Sequence, residues 1–232
     1  KTTTAAKIVL LLLRQAKASS APCRIALCAP TGKAAAHLHA SIRKAVDRIA
    51  ADGTAGTKGL VAAIEDDLPD RSHTIHRLLG AIPGSPRFRH DRDNPLPYDV
   101  VIVDEVSMSD VALSAKLVDA VPPGSRLIFL GDMDQLSSVE AGAVLGDICT
   151  RHGAPYDGTF ASNAKIFSGA DLPPEMISSS EGGIRGSIVY LTESRRFDPA
   201  SPIGKMARLV NEGRGADARA AAATGTALVW RE

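Results

Sequence analysis

The chain has 232 residues, of which 44% are hydrophobic and 23% charged, and its formal net charge is +1. This nearly neutral balance excludes a protein that coats nucleic acid by charge alone, and the longest apolar run, over 8–13, is too short to cross a bilayer. Aromatic residues make up only 4% of the chain, so stacking platforms for single-stranded bases are few. Three cysteines without framework spacing and the absence of a signal-peptide pattern predict a cytoplasmic protein.

Apolar runs and helical patterns alternate along the chain. Helices are predicted over 7–17, 33–51, 60–65, 74–79 and 111–121, and short apolar strands over 24–29, 100–103, 126–130 and 188–191. Strands that alternate with helices indicate a parallel sheet covered on both faces, with right-handed crossovers. The fold class predicted from this pattern is therefore α/β.

Three segments interrupt the pattern. Residues 53–59 are small and polar, and we expect a break between helices there. Residues 83–97 carry four prolines and a cluster of charged side chains, which predicts an excursion outside the core. Residues 153–187 are rich in Gly, Ser and Pro and are interpreted as a long, partly flexible insert.

An acidic pair, Asp104 and Glu105, follows the apolar strand at 100–103. Carboxylates at the end of a buried strand are costly unless a cation or a substrate uses them. In a nucleotide-hydrolysing enzyme, the first would hold Mg²⁺ and the second would polarise the attacking water. Standing alone, the pair would be interpreted as a solvated turn.

A second polar segment, 131–135, follows the next strand and reads Gly-Asp-Met-Asp-Gln. A glycine lets the backbone pass close to a ligand, and the amide of Gln135 can sense a γ-phosphate. A simple turn explains this segment equally well by itself. Because parallel α/β sheets bind ligands at the carboxyl ends of their strands, two such segments on consecutive strands favour a ligand site.

Two further segments fit a phosphate-binding function. Lys1 and Thr2 precede an apolar helix, as the last two residues of a G-x-x-x-x-G-K-[ST] loop do, and we expect the glycines of that loop to lie before residue 1. The segment 29–35, Ala-Pro-Thr-Gly-Lys-Ala-Ala, follows the first strand and begins a helix of small residues. Its backbone N–H groups can grip a phosphate, and the alternative is a tight turn between strand and helix.

The order of these motifs resembles that of superfamily 1 helicases, most closely the RecD family, the α subunit of exodeoxyribonuclease V. The resemblance covers nearly the whole chain and rests on six motifs, at 1–2, 29–33, 74–80, 104–108, 131–136 and 191–197. The segments Thr-Ile-His-Arg-Leu-Leu-Gly at 74–80 and Ser-Val-Glu-Ala-Gly-Ala-Val-Leu-Gly-Asp-Ile-Cys at 138–149 single out RecD.

The resemblance implies an ATP-dependent 5′–3′ DNA helicase or translocase core, with ATP and Mg²⁺ as cofactors, that acts in double-strand-break repair and recombination. It implies that Lys1 contacts the β- and γ-phosphates and that Thr2 and Asp104 hold Mg²⁺. Glu105 would be the catalytic base that orients water. Gln135 would couple the γ-phosphate to DNA.

Further roles are implied for residues at other motifs. Arg196 would stabilise charge on the transferred phosphoryl group, although Arg195 stands where many relatives carry an aromatic residue, which leaves the choice between the two arginines open. The residues expected on single-stranded DNA are Pro30, Thr31, Lys33, Thr74 and His76. Without the family pattern, His76 would be interpreted as an ordinary histidine at a helix start. The basic stretch 87–92 corresponds to a small inserted hairpin or to a solvated charged loop.

The resemblance also implies a domain organisation and partners. Residues 1–187 would form a RecA-like ATPase domain, with a possible small hairpin at 81–98, and residues 188–232 would begin a second RecA-like domain. The expected partners are single-stranded DNA and RecB- and RecC-like subunits, without a membrane, and we expect residues 1–232 alone to be inactive. The alternatives are a stand-alone RecD-like or relaxase-type helicase, another P-loop remodelling ATPase, and a non-catalytic scaffold subunit.

Overall fold

The computed structural model describes residues 2–132, 144–149, 156–179, 184, 186–191, 198 and 200–224, with the side chains of 2, 223 and 224 excepted. The predicted site residues Lys1, Gln135 and Arg196, together with Arg195, lie outside the described residues, as does the side chain of Thr2. The chain divides into two compact units, over 1–152 and 153–232.

The first unit alternates helices and strands, as the sequence predicts. Its helices are α1 (Thr2–Ala18), α2 (Gly32–Asp52), α3 (Ala55–Ile64), α4 (Ile75–Leu79), α5 (Val111–Ala120) and α6 (Val144–Cys149). Its strands are β1 (Ile25–Ala29), β2 (Ser72–Thr74), β3 (Val100–Val103) and β4 (Arg126–Phe129). They form one parallel sheet in the order β2-β1-β3-β4.

The two central strands are buried on both faces, because helices cover each side of the sheet. On one face, Ile25 and Leu27 of β1 and Val100 and Ile102 of β3 pack in a cluster with α1, α2 and α3. On the other face, Ala26, Cys28, Val101 and Val103 pack with α4 and α5. Two buried faces explain why these strands read as continuous apolar runs instead of alternating ones.

Two local predictions are corrected in the first unit. The break expected over 53–59 is shorter than predicted: α2 ends at Asp52 and α3 begins at Ala55, which leaves only Gly53 and Thr54 between the two helices. The side chain of Thr54 caps this helix by accepting a hydrogen bond from the Thr57 N–H at 3.4 Å, and such a cap offsets the poor helix propensity of the glycines that follow. Strand β2 was not predicted because its three residues are polar and only half-buried, and it forms by pairing with β1.

The second unit contains α7 (Gly158–Ser168), α8 (Pro202–Asn211) and α9 (Gly215–Thr224). Helix α7 lies inside the insert predicted over 153–187, and Asp157 caps it by accepting from the Phe160 N–H at 2.7 Å. The strand predicted over 188–191 is wrong: these residues form no strand, and Val189 and Leu191 are exposed, whereas a strand requires a paired neighbour. The expected boundary between RecA-like domains, at 187/188, falls within this unit and remains a prediction.

Across the described ranges, the structure contains no helix with the length and hydropathy needed to cross a bilayer.

The reactivity of the Cys28 thiol reports how tightly the sheet is packed. It is fully buried in β1, and burial raises the pKa of its thiol to about 12. The thiolate, not the thiol, is the nucleophile, so we expect Cys28 to resist iodoacetamide at pH 8 in the folded protein and to react after unfolding. Half-buried Cys23 serves as the internal control and should react faster. Mass spectrometry of labelled peptides measures both rates, and equal rates in the folded protein would contradict this packing.

Candidate functional site

The carboxyl ends of the four strands bring several predicted residues to one edge of the sheet. Ala29 at the end of β1 is in register with Thr74 of β2, and Cys28 is in register with Val103 of β3. Since neighbouring strands lie about 4.8 Å apart, Thr74 and Asp104 are roughly 10 Å apart along this edge. The segments that leave the edge are 30–32, 75–79, 104–108 and 130–132.

Asp104 is a buried carboxylate at the centre of this edge. The residue is 8% exposed, its backbone N–H donates to the Cys28 carbonyl at 2.9 Å, and its Oδ1 accepts from the Glu105 N–H at 2.9 Å. The first bond fixes the backbone of Asp104 to β1, and the second holds its carboxylate against the N–H of the next residue. Mg²⁺ in nucleotide enzymes is held by one or two carboxylates together with phosphates and water, and this single fixed carboxylate fits that donor set.

Glu105 adopts a left-handed backbone conformation, with φ 53° and ψ 40°. This region is uncommon for a residue other than glycine and costs roughly 1–2 kcal/mol. The conformation turns the chain out of β3 into a 3₁₀ turn over Val106–Met108, in which the Met108 N–H donates to the Glu105 carbonyl at 3.0 Å. Backbone strain held in place by the surrounding fold occurs most often at functional sites, which supports a role for this residue.

The turn after β3 is joined to the end of β4. The Val106 N–H donates to the Leu130 carbonyl at 3.1 Å, and the Leu130 N–H donates to the Val103 carbonyl at 2.8 Å. Gly131 permits close packing here, because a Cβ at this position would lie 2.3 Å from Cδ2 of Leu145 in α6. A displacement of the segment after β4 would therefore shift the turn that carries the acidic pair.

Ser107 lies in the same turn, and no role was predicted for it from the sequence. It is 8% exposed, and its buried Oγ has no hydrogen-bond partner in the described part of the chain. The neighbouring buried serines differ, since Ser114 Oγ donates to Ser109 Oγ at 3.1 Å. The sequence shows a serine three residues after the first carboxylate, which is the only local sign of a role for it. The burial of its hydroxyl depends on the fold and could not be predicted from the sequence.

Thr31 and Thr74 cap the two helices that start at the sheet edge. The Thr31 Oγ1 accepts from the Ala34 N–H at 3.2 Å at the start of α2, and the Thr74 Oγ1 accepts from the Arg77 N–H at 3.2 Å at the start of α4. A hydroxyl that accepts in this way keeps its own O–H as a donor. Both threonines can therefore hold a helix start and donate to a phosphate oxygen at the same time.

The other residues predicted to contact DNA lie near these caps. Lys33 and His76 are exposed, and Pro30 is half-buried. The ring of His76 packs 5.8 Å from that of Phe88, and Nζ of Lys116 lies 5.7 Å from the centre of the Phe88 ring. These contacts tie the excursion that follows α4 to helices α4 and α5.

Two features near β2 and the excursion were not predicted. Arg71 and Arg77 flank His73, and burial together with these two cations lowers the pKa of the imidazole, so His73 is neutral at pH 7 while the arginines supply the positive charge. In the basic stretch 87–92, Arg92 forms an exposed ion pair with Asp119 at 2.8 Å, so a neighbouring carboxylate partly offsets its positive charge.

Comparison with known proteins places the chain in a family. Residues 1–141 match the family described as AAA domain. The chain is 50% identical over 149 residues, 64% of its length, to the "RecBCD enzyme subunit RecD" of Mycobacterium tuberculosis (strain CDC 1551 / Oshkosh). It is 38% identical over 218 residues, 94% of its length, to the "RecBCD enzyme subunit RecD" of Haemophilus influenzae (strain ATCC 51907 / DSM 11121 / KW20 / Rd). The chain belongs to the AAA domain family and to the RecD family.

The chain is also similar to a relative that carries a different name. The chain is 41% identical over 128 residues, 55% of its length, to the "ATP-dependent RecD2 DNA helicase" of Deinococcus radiodurans. The chain spans 24% of the length of the Mycobacterium tuberculosis relative, 32% of that of the Haemophilus influenzae relative and 14% of that of the Deinococcus radiodurans relative. The predicted α/β fold with a RecA-like P-loop domain around a parallel sheet is confirmed by the sheet and by the AAA domain match.

Proposed function

We propose that this RecD-family chain is part of the motor core of an ATP-dependent 5′–3′ DNA helicase that acts in double-strand-break repair and recombination. The observation that carries the proposal is the acidic pair Asp104–Glu105, which the fold fixes at the carboxyl end of the central strand β3. Ligands of open parallel α/β sheets bind at this edge. The relatives' names supply the reaction class, and the direction of movement rests on the resemblance alone.

The proposed reaction is in-line attack of water on the γ-phosphate of ATP. Bound Mg²⁺ would neutralise charge on the β- and γ-phosphates. Asp104 would hold the ion through its buried carboxylate, and Glu105 would orient the attacking water and accept its proton. By analogy with the family, Lys1 would contact the phosphates and Thr2 would help to hold Mg²⁺.

Two residues outside the described part of the chain would complete the cycle. Gln135 would link the γ-phosphate to bound DNA, and Arg196 would stabilise charge on the transferred phosphoryl group. The roles of Lys1 and Thr2 given above are proposed from the order of the motifs. These assignments stand on the family resemblance.

We further propose that single-stranded DNA lies along the sheet edge over Thr31 and Thr74, with Pro30, Lys33 and His76 beside them. The support is positional: both threonines begin helices at one edge, and each keeps an O–H group that can donate to a phosphate. Contacts to phosphates carry no sequence information, which suits a motor that moves on any sequence.

Substituting Thr31 by Asp separates the capping role from the DNA-binding role. Asp is as good an N-cap as Thr, so we expect the melting temperature to change little. Its carboxylate cannot donate and repels phosphate, so we expect affinity for an oligo(dT) to fall about tenfold or more, in proportion to the lost phosphate contact. Fluorescence anisotropy at fixed salt, with the full-length protein, measures the affinity.

Thr54→Asp is the matched control for this experiment. Thr54 caps α3 in the same way, but it follows the 21-residue helix α2 and so lies about 30 Å along that helix from Thr31. We expect Thr54→Asp to leave oligo(dT) affinity unchanged. Equal losses for both variants would show that added negative charge acts at long range and that Thr31 does not contact DNA.

The proposed partners are RecB- and RecC-like subunits, because two of the relatives described above are named as subunits of a RecBCD enzyme. The relative named RecD2 DNA helicase supports a second candidate, a stand-alone helicase. Affinity purification of the full-length protein at its native level distinguishes the two. Stoichiometric co-purification of two large subunits supports the complex, and strand unwinding by the isolated protein supports the stand-alone form.

A further inference from the structure

The buried hydroxyl of Ser107 is a polar group that the described structure does not satisfy. The residue is 8% exposed, and its Oγ lacks a hydrogen-bond partner within the described ranges. A buried hydroxyl without a partner destabilises the state in which it occurs, and an alanine of nearly the same shape would not. The hydroxyl therefore contributes nothing to the stability of this state, which points to a partner in another state.

The surroundings of Ser107 indicate where that partner lies. Ser107 is two residues after Glu105, in the 3₁₀ turn that the left-handed Glu105 begins. The preceding Val106 N–H already donates to the Leu130 carbonyl, and a Cβ built on Gly131 would lie 3.5 Å from the Ser107 nitrogen. The end of β4 is thus the backbone next to this serine. A carbonyl oxygen has two lone pairs, so the Leu130 oxygen can accept a second hydrogen bond.

We propose that Ser107 is a positioning residue for ATP hydrolysis: its hydroxyl donates to the backbone carbonyl of Leu130 or Gly131 as the bound ATP approaches the transition state, and so fixes Glu105 against the attacking water. The inference rests on the proposed function. Ser107 acts through Glu105 and does not touch the nucleotide. A small shift of the β4 end toward the turn creates the bond, and the close packing of Gly131 against α6 confines that shift to few directions.

The test is Ser107→Ala in the full-length protein, with steady-state ATP hydrolysis, melting temperature and nucleotide affinity measured together. We expect kcat to fall about tenfold, the fold-change for one hydrogen bond made on the way to the transition state. KM for ATP should stay within about twofold, and the melting temperature should not fall, since no bond is lost in the nucleotide-free state. Affinity for ADP with aluminium fluoride should fall by the same factor as kcat, with affinity for ADP unchanged.

Ser114→Ala is the matched control, because Ser114 is an equally buried serine whose hydroxyl has a partner in Ser109. Its loss should lower the melting temperature and leave kcat within about twofold. An unchanged kcat in Ser107→Ala, or a fall in melting temperature like that of Ser114→Ala, overturns the inference alone. Absence of ATP hydrolysis by the unsubstituted full-length protein overturns the proposed function, and this inference with it.

Discussion

Substitution of Glu105 by Gln in the full-length protein lowers the rate of ATP hydrolysis about 10²- to 10⁴-fold, which is the usual contribution of a general base. Gln keeps the size of the side chain and its ability to contact water but cannot accept a proton. Because Asp104 and the phosphate contacts are unchanged, ATP affinity stays within a few fold of the parent. Phosphate release in the presence of single-stranded DNA measures the first effect, and titration with a fluorescent ATP analogue measures the second.

Glu65→Gln provides the control for this prediction. Glu65 is an exposed residue in the 3₁₀ turn after α3, away from the sheet edge. Its substitution by Gln removes the same negative charge as Glu105→Gln does. It should leave both rate and affinity unaltered. Retention of more than a tenth of the parental rate by Glu105→Gln would exclude Glu105 as the base, whereas absence of ATP hydrolysis by the parent protein would favour a scaffold that holds partner subunits.

The second large effect is expected in the core beneath the proposed phosphate site. Leu10 of α1 is 5% exposed and packs in the cluster formed with α2 and α3, so Leu10→Ala leaves a cavity and removes apolar contacts. We expect the free energy of unfolding to fall by about 2–5 kcal/mol. This loss is a large share of the total stability of a typical domain, which is about 5–15 kcal/mol. Urea denaturation followed by circular dichroism measures it.

The adjacent residue makes a stringent control. Leu11 is 55% exposed on the same helix, so the identical substitution removes little buried surface and should change stability by only about 0.5 kcal/mol. Because helix propensity changes equally in the two variants, the difference between them reports burial alone. Similar losses for Leu10→Ala and Leu11→Ala would mean that α1 does not pack against the sheet as described.

Most of the first unit could be predicted from the sequence because its signals are local. Strands β1, β3 and β4 are apolar runs that end in polar residues, and long helices such as α2 carry a repeating apolar face. Strand β2 escaped prediction because three polar residues have no strand signal of their own. The start of α3 was missed because a capping threonine outweighed two glycines.

The sequence by itself determined the acidic pair and the order of the motifs, since both are read directly along the chain. Only the tertiary structure decided that β1 lies between β2 and β3, which places Thr74, Thr31 and Asp104 on one edge. It also decided that the hydroxyl of Ser107 is buried without a hydrogen-bond partner in the described part of the chain. Strand order and side-chain burial arise from contacts between residues far apart in sequence, which no local pattern encodes.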